Sequence, residues 1–189
     1  MTRQEVVGAA RRLFAAHGYE QTKVESIARE ARVSPATVYA QCGGKEGLLR
    51  TLMDIWTTSP TVGRIITDSA AAPTGPTKLK VLADGYAEHA AEAGDIMRIV
   101  ERAAASSPVA QEFLAIADQR HVEALEMIVE GIDSIGELAD GLSTADAAKI
   151  IYFYFRNPQF VLAVETFGWG VDRATQWLLA QVEAAILKS

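Results

Sequence analysis

TKVESIAREARVSPATVYAQCGGK, residues 22–45, decides the fold. Val24, Ile27, Ala28 and Ala31 fall at i, i+3, i+4 and i+7, one apolar face of an α-helix. Thr22 precedes that face and Glu25 follows three places later, the spacing of a capping box. Arg32-Val33-Ser34 interrupts the pattern. Ser34 suits the cap of a second helix, and Pro35 suits its first position, where proline has no amide hydrogen to leave unsatisfied. That second helix runs from 35 to about 41, roughly two turns. Two short helices joined by a tight turn make a helix-turn-helix, whose second helix enters the DNA major groove.

At about 100° per residue, Val38 and Cys42 point back toward Ile27 and Ala31. Ala36 and Ala40 then lie on the opposite side, so the outermost tip is two methyl groups. Contact with thymine methyls is one of the few readings of sequence that alanine permits. Thr37 and Gln41 are the side chains best able to hydrogen-bond bases or phosphate. Tyr39 offers a hydroxyl suited to phosphate, which positions a protein without reading sequence. Lys45 stands where a third helix begins and free amides add partial positive charge. The candidate DNA-facing set is therefore Thr22, Lys23, Ser34, Pro35, Ala36, Thr37, Tyr39, Ala40, Gln41 and Lys45. A small-residue helix packed in a core is the alternative, but it would not need Ser34, Thr37, Gln41 and Lys45 together. Gly44-Lys45 is not a phosphate loop, because Tyr39 stands where its first glycine should be and Glu46 replaces Ser/Thr.

The chain resembles the tetracycline-repressor (TetR) family of transcriptional regulators. The resemblance is carried by LFAAHGYEQTKVESIAREARVSPATVYAQCGGKEGLL, positions 13–49. Its marks are Phe14, Gly18-Tyr19, Thr22, Ile27-Ala28, Val33-Ser34, Thr37 with Tyr39, and Lys45-Glu46. Two positions depart from the family pattern. Arg32 stands where the turn usually has glycine, so it is expected to hold a left-handed backbone without glycine's freedom. Cys42 stands where phenylalanine is usual, which implies a looser head. The resemblance implies an all-α chain, with a three-helix DNA-binding head at 1–47 and a helical effector-binding and dimerisation body at 48–189. It also implies a homodimeric regulator, most often a repressor released from a partly palindromic operator by a small molecule, with no cofactor.

Charge supports a two-ended molecule. Net charge is −6 over 189 residues, which alone argues against nucleic acid. Residues 1–50, however, hold eight Lys/Arg and five acids, a net of +3, leaving ten bases and nineteen acids, −9, for the rest. A basic head on an acidic body presents one end to phosphate. Hydrophobic residues at 49% exclude a disordered chain. No apolar run reaches membrane-spanning length, the N-terminus lacks the apolar core of a signal peptide, and one cysteine allows no internal disulfide, so the expected compartment is the cytoplasm.

Periodicity predicts further helices. Residues 3–17 place Val6, Ala10, Leu13 and Phe14 on one face, and Gly18 ends the helix. His17 reads as a polar residue beside a helix end rather than a pH switch. A long helix is expected from 45 to about 68, kinked or broken at Pro60. AAAPTGP, 70–76, is the best linker. Helices at 77–93 and 95 to about 105 follow, then a break at Ser106-Ser107-Pro108. Residues 109–135 carry Phe113, Leu114, Ile116, Leu125, Met127, Ile128, Val129 and Ile132 around most of the circumference, which predicts burial on several sides. Ser143 should cap a helix to Phe155, because the run from Ile150 to Phe155 has no partner strand. Asn157-Pro158 should kink it, Gly168-Trp169-Gly170 should turn the chain, and Asp172 should cap a last helix to about 187. Two apolar terminal helices need cover, either within the chain or, as the resemblance implies, from a twin subunit in a four-helix bundle.

Chemistry for catalysis is not evident. There is no H-E-x-x-H, paired-cysteine spacing or G-x-S-x-G, and the three histidines form no i, i+4 pair, so neither enzyme nor metal site is expected. Cys42 reads as a small core residue rather than a redox switch. Aromatics and methionines of the body (Tyr86, Met97, Phe113, Met127, Tyr152, Phe153 and Tyr154) suit a small-molecule cavity or an ordinary helical core equally well. Candidate effector contacts are Tyr86, Met97, Arg98, Glu101, Phe113, His121, Met127, Tyr152 and Tyr154. Two other functions stay open: an effector-independent architectural factor or activator working through a protein partner, and an enzyme that uses the head for packing.

Overall fold

The computed structural model describes residues 3–188; the outermost residues of the two expected domains, 1, 2 and 189, lie outside the described residues. The chain is all-α: α1 Arg3–His17, α2 Val24–Glu30, α3 Pro35–Cys42, α4 Gly44–Thr57, α5 Pro60–Ala71, α6 Gly75–Ala104, α7 Pro108–Ser134, α8 Thr144–Phe155, α9 Asn157–Val161 with a π-helical turn Leu162–Thr166, and α10 Val171–Ile186. Among the described residues no helix is long and apolar enough to cross a membrane.

Two compact units emerge. The first comprises Met1–Ser59 and Ala93–Ala117. Its core joins Val6, Ala10 and Phe14 of α1, Ile27 and Ala28 of α2, Val38 and Cys42 of α3, and Leu48, Leu49 and Leu52 of α4. Ile96, Ile99, Val100 and Ala103 of α6 complete it. Arg11 of α1 forks onto Asp95 of α6, with Nε donating at 2.6 Å and Nη2 at 2.5 Å. This hydrogen bond and charge hold the Asp95 carboxyl below the usual carboxylate range.

The second unit comprises Pro60–Glu92 and Asp118–Ser189. Its core is built from Leu79 and Leu82, Leu125, Ile128 and Ile132, Ile151 and Phe155, and Leu178, Val182 and Ile186. Lys78 is buried, and its Nζ donates to the Ser69 carbonyl at 3.3 Å and the Ala70 carbonyl at 2.6 Å. The C-terminal end of α5 is where a helix favours a cation. An isolated antiparallel bridge between Leu138 and Leu187 ties the chain's end to the loop before α8.

Several sequence expectations are corrected. The helix expected from 45 to about 68 is two helices, with the break, rather than the kink, realised at Pro60: α4 ends at Thr57 and Pro60 opens α5. Ala70 and Ala71 belong to α5 and Pro76 to α6, so the expected linker shrinks to 72–74. The two helices expected at 77–93 and 95 to about 105 are one helix, Gly75–Ala104. Gly94 costs that helix about 1 kcal/mol against alanine, but burial of Ile96, Ile99 and Val100 beyond it outweighs the cost. α7 is less buried than its composition implies, with Ile116 and Met127 exposed. The run at 150–155 is helical, and Ser143 caps α8 by accepting the Asp146 amide at 3.1 Å, as expected. The chain breaks rather than kinks after Phe155: Arg156 is extended and takes the N-cap of α9, with Pro158 in the first turn, where its missing amide hydrogen leaves no helical bond unmade. Gly170, not Asp172, occupies the N-cap of α10.

Candidate nucleic-acid interface

The α2–α3 turn is built on one strained residue and one cap. Arg32 has φ +55°, a left-handed backbone that glycine would hold without strain. Ser34 Oγ accepts the Thr37 amide at 3.1 Å and shares a hydrogen bond with Thr37 Oγ1 at 2.9 Å. Pro35 follows at the first helical position. The helix stops at Gly43, φ +69°, whose amide donates to the Tyr39 carbonyl at 3.0 Å.

The facing of α3 is as its periodicity predicts. Val38 and Cys42 are buried. Ser34, Pro35, Ala36, Ala40 and Gln41 are exposed, Thr37 is half-buried, and Tyr39 is 59% exposed. Gly44 fixes where the Tyr39 ring stands, since a Cβ there would lie 2.8 Å from Tyr39 Cε1. Burial pushes the Cys42 thiol up against the opposing influence of Arg3, so it stays protonated in the core.

Lys23 is exposed at the N-cap of α2. Lys45 is half-buried and ordered: its Nζ lies 4.4 Å above the Tyr19 ring and donates to the Glu20 carbonyl at 3.2 Å. Burial, then Glu46 and Glu20, push the Tyr19 phenol up to about 12, so the ring beneath Lys45 stays neutral.

Thr22 is a correction. It is 3% exposed, and its hydroxyl donates to the Gly18 carbonyl at 2.7 Å and the Leu13 carbonyl at 3.3 Å. It neither caps α2 nor faces outward; it ties the end of α1 to the start of α2. The expected capping box is absent because Lys23 takes the N-cap position without a side-chain bond.

The body residues divide. Tyr86, His121 and Tyr152 come together in the second unit, where the Tyr86 hydroxyl hydrogen-bonds His121 Nε2. The His121 ring lies 5.4 Å from Tyr86 and 5.2 Å, edge-on, from Tyr152. Burial pushes His121 down to about 4, against the upward pull of Asp118, so it is neutral near pH 7. Phe155 stacks 5.3 Å from Tyr86, and Arg156 lies over Tyr152 and 3.7 Å from Asp118. Tyr154 packs instead on Phe153, 5.3 Å away. Met127 is a correction, 60% exposed rather than lining an interior. Met97, Arg98, Glu101 and Phe113 belong to the first unit, where Phe113 lies under the Arg50 guanidinium at 4.9 Å.

Sequence reasoning missed His89, Phe155, Arg156 and Asp118 around this group. The signal was present for three of them: 86/89, 118/121 and 152/155 are i, i+3 pairs, each on one helical face, whereas Arg156 follows the end of α8. Among the described residues no cluster of three or more His, Cys, Asp or Glu could hold a metal ion.

Residues 6–52 match the family model described as bacterial regulatory proteins, tetR family. No curated protein matches the chain in sequence. The fold is similar to SmeT in complex with triclosan, at 19% identity and TM-score 0.78 over 99% of this chain and 92% of that one; SmeT is the repressor of the Stenotrophomonas maltophilia multidrug efflux pump SmeDEF. It is similar to the transcriptional regulator FadR of Bacillus subtilis in complex with stearoyl-CoA, at 20% identity and TM-score 0.79 over 96% and 97% of the two chains. It is similar to NalD, the secondary repressor of the MexAB-OprM multidrug efflux pump in Pseudomonas aeruginosa, at 20% identity and TM-score 0.77 over 99% and 97%. Residues 6–52, which carry the outward-facing α3, thus match the model of bacterial regulatory proteins of the tetR family, and the chain as a whole shares the all-α fold of these regulators.

Proposed function

We propose that the chain is a homodimeric repressor that leaves its operator when a small molecule binds the body. The observation that carries this reading is the facing of α3: Val38 and Cys42 are sunk in the core while Pro35, Ala36, Tyr39, Ala40 and Gln41 stand outward. Two copies of α3 would enter successive major grooves of half-sites about 34–36 Å apart. Tyr39, Lys23 and Lys45 would hold phosphate, while Thr37 and Gln41 would be the polar side chains best able to hydrogen-bond bases or phosphate beside the Ala36 and Ala40 methyls.

Dimerisation through α8 and α10 is supported by their outward apolar side chains. Phe153 on α8 and Val171 and Trp177 on α10 are exposed, and Phe167 and Trp169 continue the aromatic surface toward Trp177. Large apolar groups left in water at one face mark an interaction surface. An effector site around Tyr86, His121 and Tyr152 is supported by their convergence and by the ligands of SmeT and FadR.

Release follows from α6. Its first part lies in the core of the second unit and its last part in the core that holds α1 and α4. An effector that displaces α6 would move the two heads out of register with the duplex. Typical allosteric coupling of about 1–3 kcal/mol would weaken DNA binding roughly 5- to 150-fold. The test is recovery of DNA bound by the protein across the genome, repeated with candidate effectors. Recovery of a few palindromic sites, lost with one compound, is expected. Sites occupied equally with every compound would favour an effector-independent factor.

A further inference from the structure

Resting on that reading of α3, we infer that the protein selects its operator by seating thymine methyl groups against Ala36 and Ala40. Val38 and Cys42 are buried, and residues 36 and 40 lie about 200° around the helix from them, so these two methyls lead the helix outward. Pro35, also exposed, widens the apolar tip. The Ser34 and Thr37 hydroxyls are engaged at the helix cap: Ser34 Oγ accepts the Thr37 amide, and the two hydroxyls bond each other at 2.9 Å. Lys45 is held back on Tyr19 and the Glu20 carbonyl, and Tyr39 is placed by Gly44 at the flank. The tip formed by the Pro35, Ala36 and Ala40 side chains therefore neither donates nor accepts.

Such a surface still discriminates. In the major groove only thymine presents a methyl group. Against guanine or cytosine, the same alanines would strip water from O6, N7 or N4 and offer nothing in return, which is penalised. Gln41, exposed at the far end of the helix, adds an amide of the kind that pairs with adenine N6 and N7. The expected half-site is A·T-rich under α3, with thymine methyls directed at residues 36 and 40.

The test uses the full chain and a duplex enriched by it from a random pool. The duplex is resynthesised with deoxyuridine for thymidine, which removes the C5 methyls and leaves every hydrogen-bonding group. We expect about a fourfold loss of affinity for each seated methyl, the value of burying one such carbon. Ala36→Ser and Ala40→Ser should bind the thymidine duplex more weakly and lose discrimination between the two duplexes. Equal binding of both duplexes by the unaltered protein overturns the inference, as does an equal uridine penalty in the serine variants, which would trace the effect to duplex stiffness. If no duplex is enriched at all, the DNA-binding reading fails and this inference with it.

Discussion

Gly47→Ala is the smallest change expected to dismantle the head. A Cβ at position 47 would lie 1.8 Å from the Cys42 carbonyl oxygen, at the junction of α3 and α4. The obstruction is backbone, so no side chain can turn aside. Reaching even the 3.0 Å floor of real Cβ contacts requires the two backbones to part by about 1.2 Å. That separation opens the core where Val38, Cys42, Leu48 and Leu49 are buried. Overpacking of this kind costs about 1–3 kcal/mol, and with a rigid backbone obstacle we expect about 3. That is more than a hundredfold in the folding equilibrium, a large fraction of the roughly 5–15 kcal/mol that holds a protein together. Gly8→Ala is the matched control: its Cβ would meet only Arg12 Nη1 at 3.5 Å, inside α1, and the better helix residue should stabilise by about 1 kcal/mol. Denaturant unfolding followed by circular dichroism reads both. A Gly47→Ala midpoint equal to that of the unaltered protein would refute the junction described here.

Other changes test other parts. Arg32→Gly should relieve a left-handed strain of about 1–2 kcal/mol at an entropic cost of about 0.5–1, raising Tm by a few degrees, whereas Arg32→Val should lower it. Asp95→Asn should destabilise by about 1 kcal/mol at pH 7, a modest value because the pair is about one-third exposed. The Asp95 pKa is depressed in the folded state, so its contribution is present above the unfolded value of 3.8 and fades as pH falls through the folded one. Unfolding of the variant and parent should therefore converge in acid. His121 runs the other way from a paired histidine: its folded pKa of about 4 lies below 6.5, so the unfolded chain binds the proton first. Stability should fall by about 2 kcal/mol from pH 6.5 to 4, and the slope should flatten in His121→Gln. Trp177→Glu should convert a dimer to monomer in analytical ultracentrifugation; an unchanged dimer would place the interface elsewhere.

The head was legible because its local signals agree. Ser34 and Pro35 announce a helix start, Gly43 its stop, and Val38 and Cys42 its inner face, and each needs only near neighbours to act. Thr22 misled because a threonine before a helix fits both a cap and a buried tether, and the choice depends on the distant Leu13 and Gly18 carbonyls. Gly47 gave no sign in the sequence, since its necessity comes from α3 passing close by. The body was harder. Gly94 looks like a helix break until Ile96, Ile99 and Val100 are seen buried on the head's core. The convergence of Tyr86, His121 and Tyr152 depends on how three helices are threaded, which periodicity within each helix cannot specify.

Whether α3 reads DNA is decided by fluorescence anisotropy of an enriched duplex titrated with Thr37→Ala, Tyr39→Ala, Gln41→Ala and Lys45→Ala. Tyr39→Ala and Lys45→Ala are expected to weaken binding to every duplex and, for Lys45, to lower the salt slope by about one unit. Thr37→Ala and Gln41→Ala are expected to change the ranking among duplexes. Four variants that bind every duplex as the parent does would contradict the account.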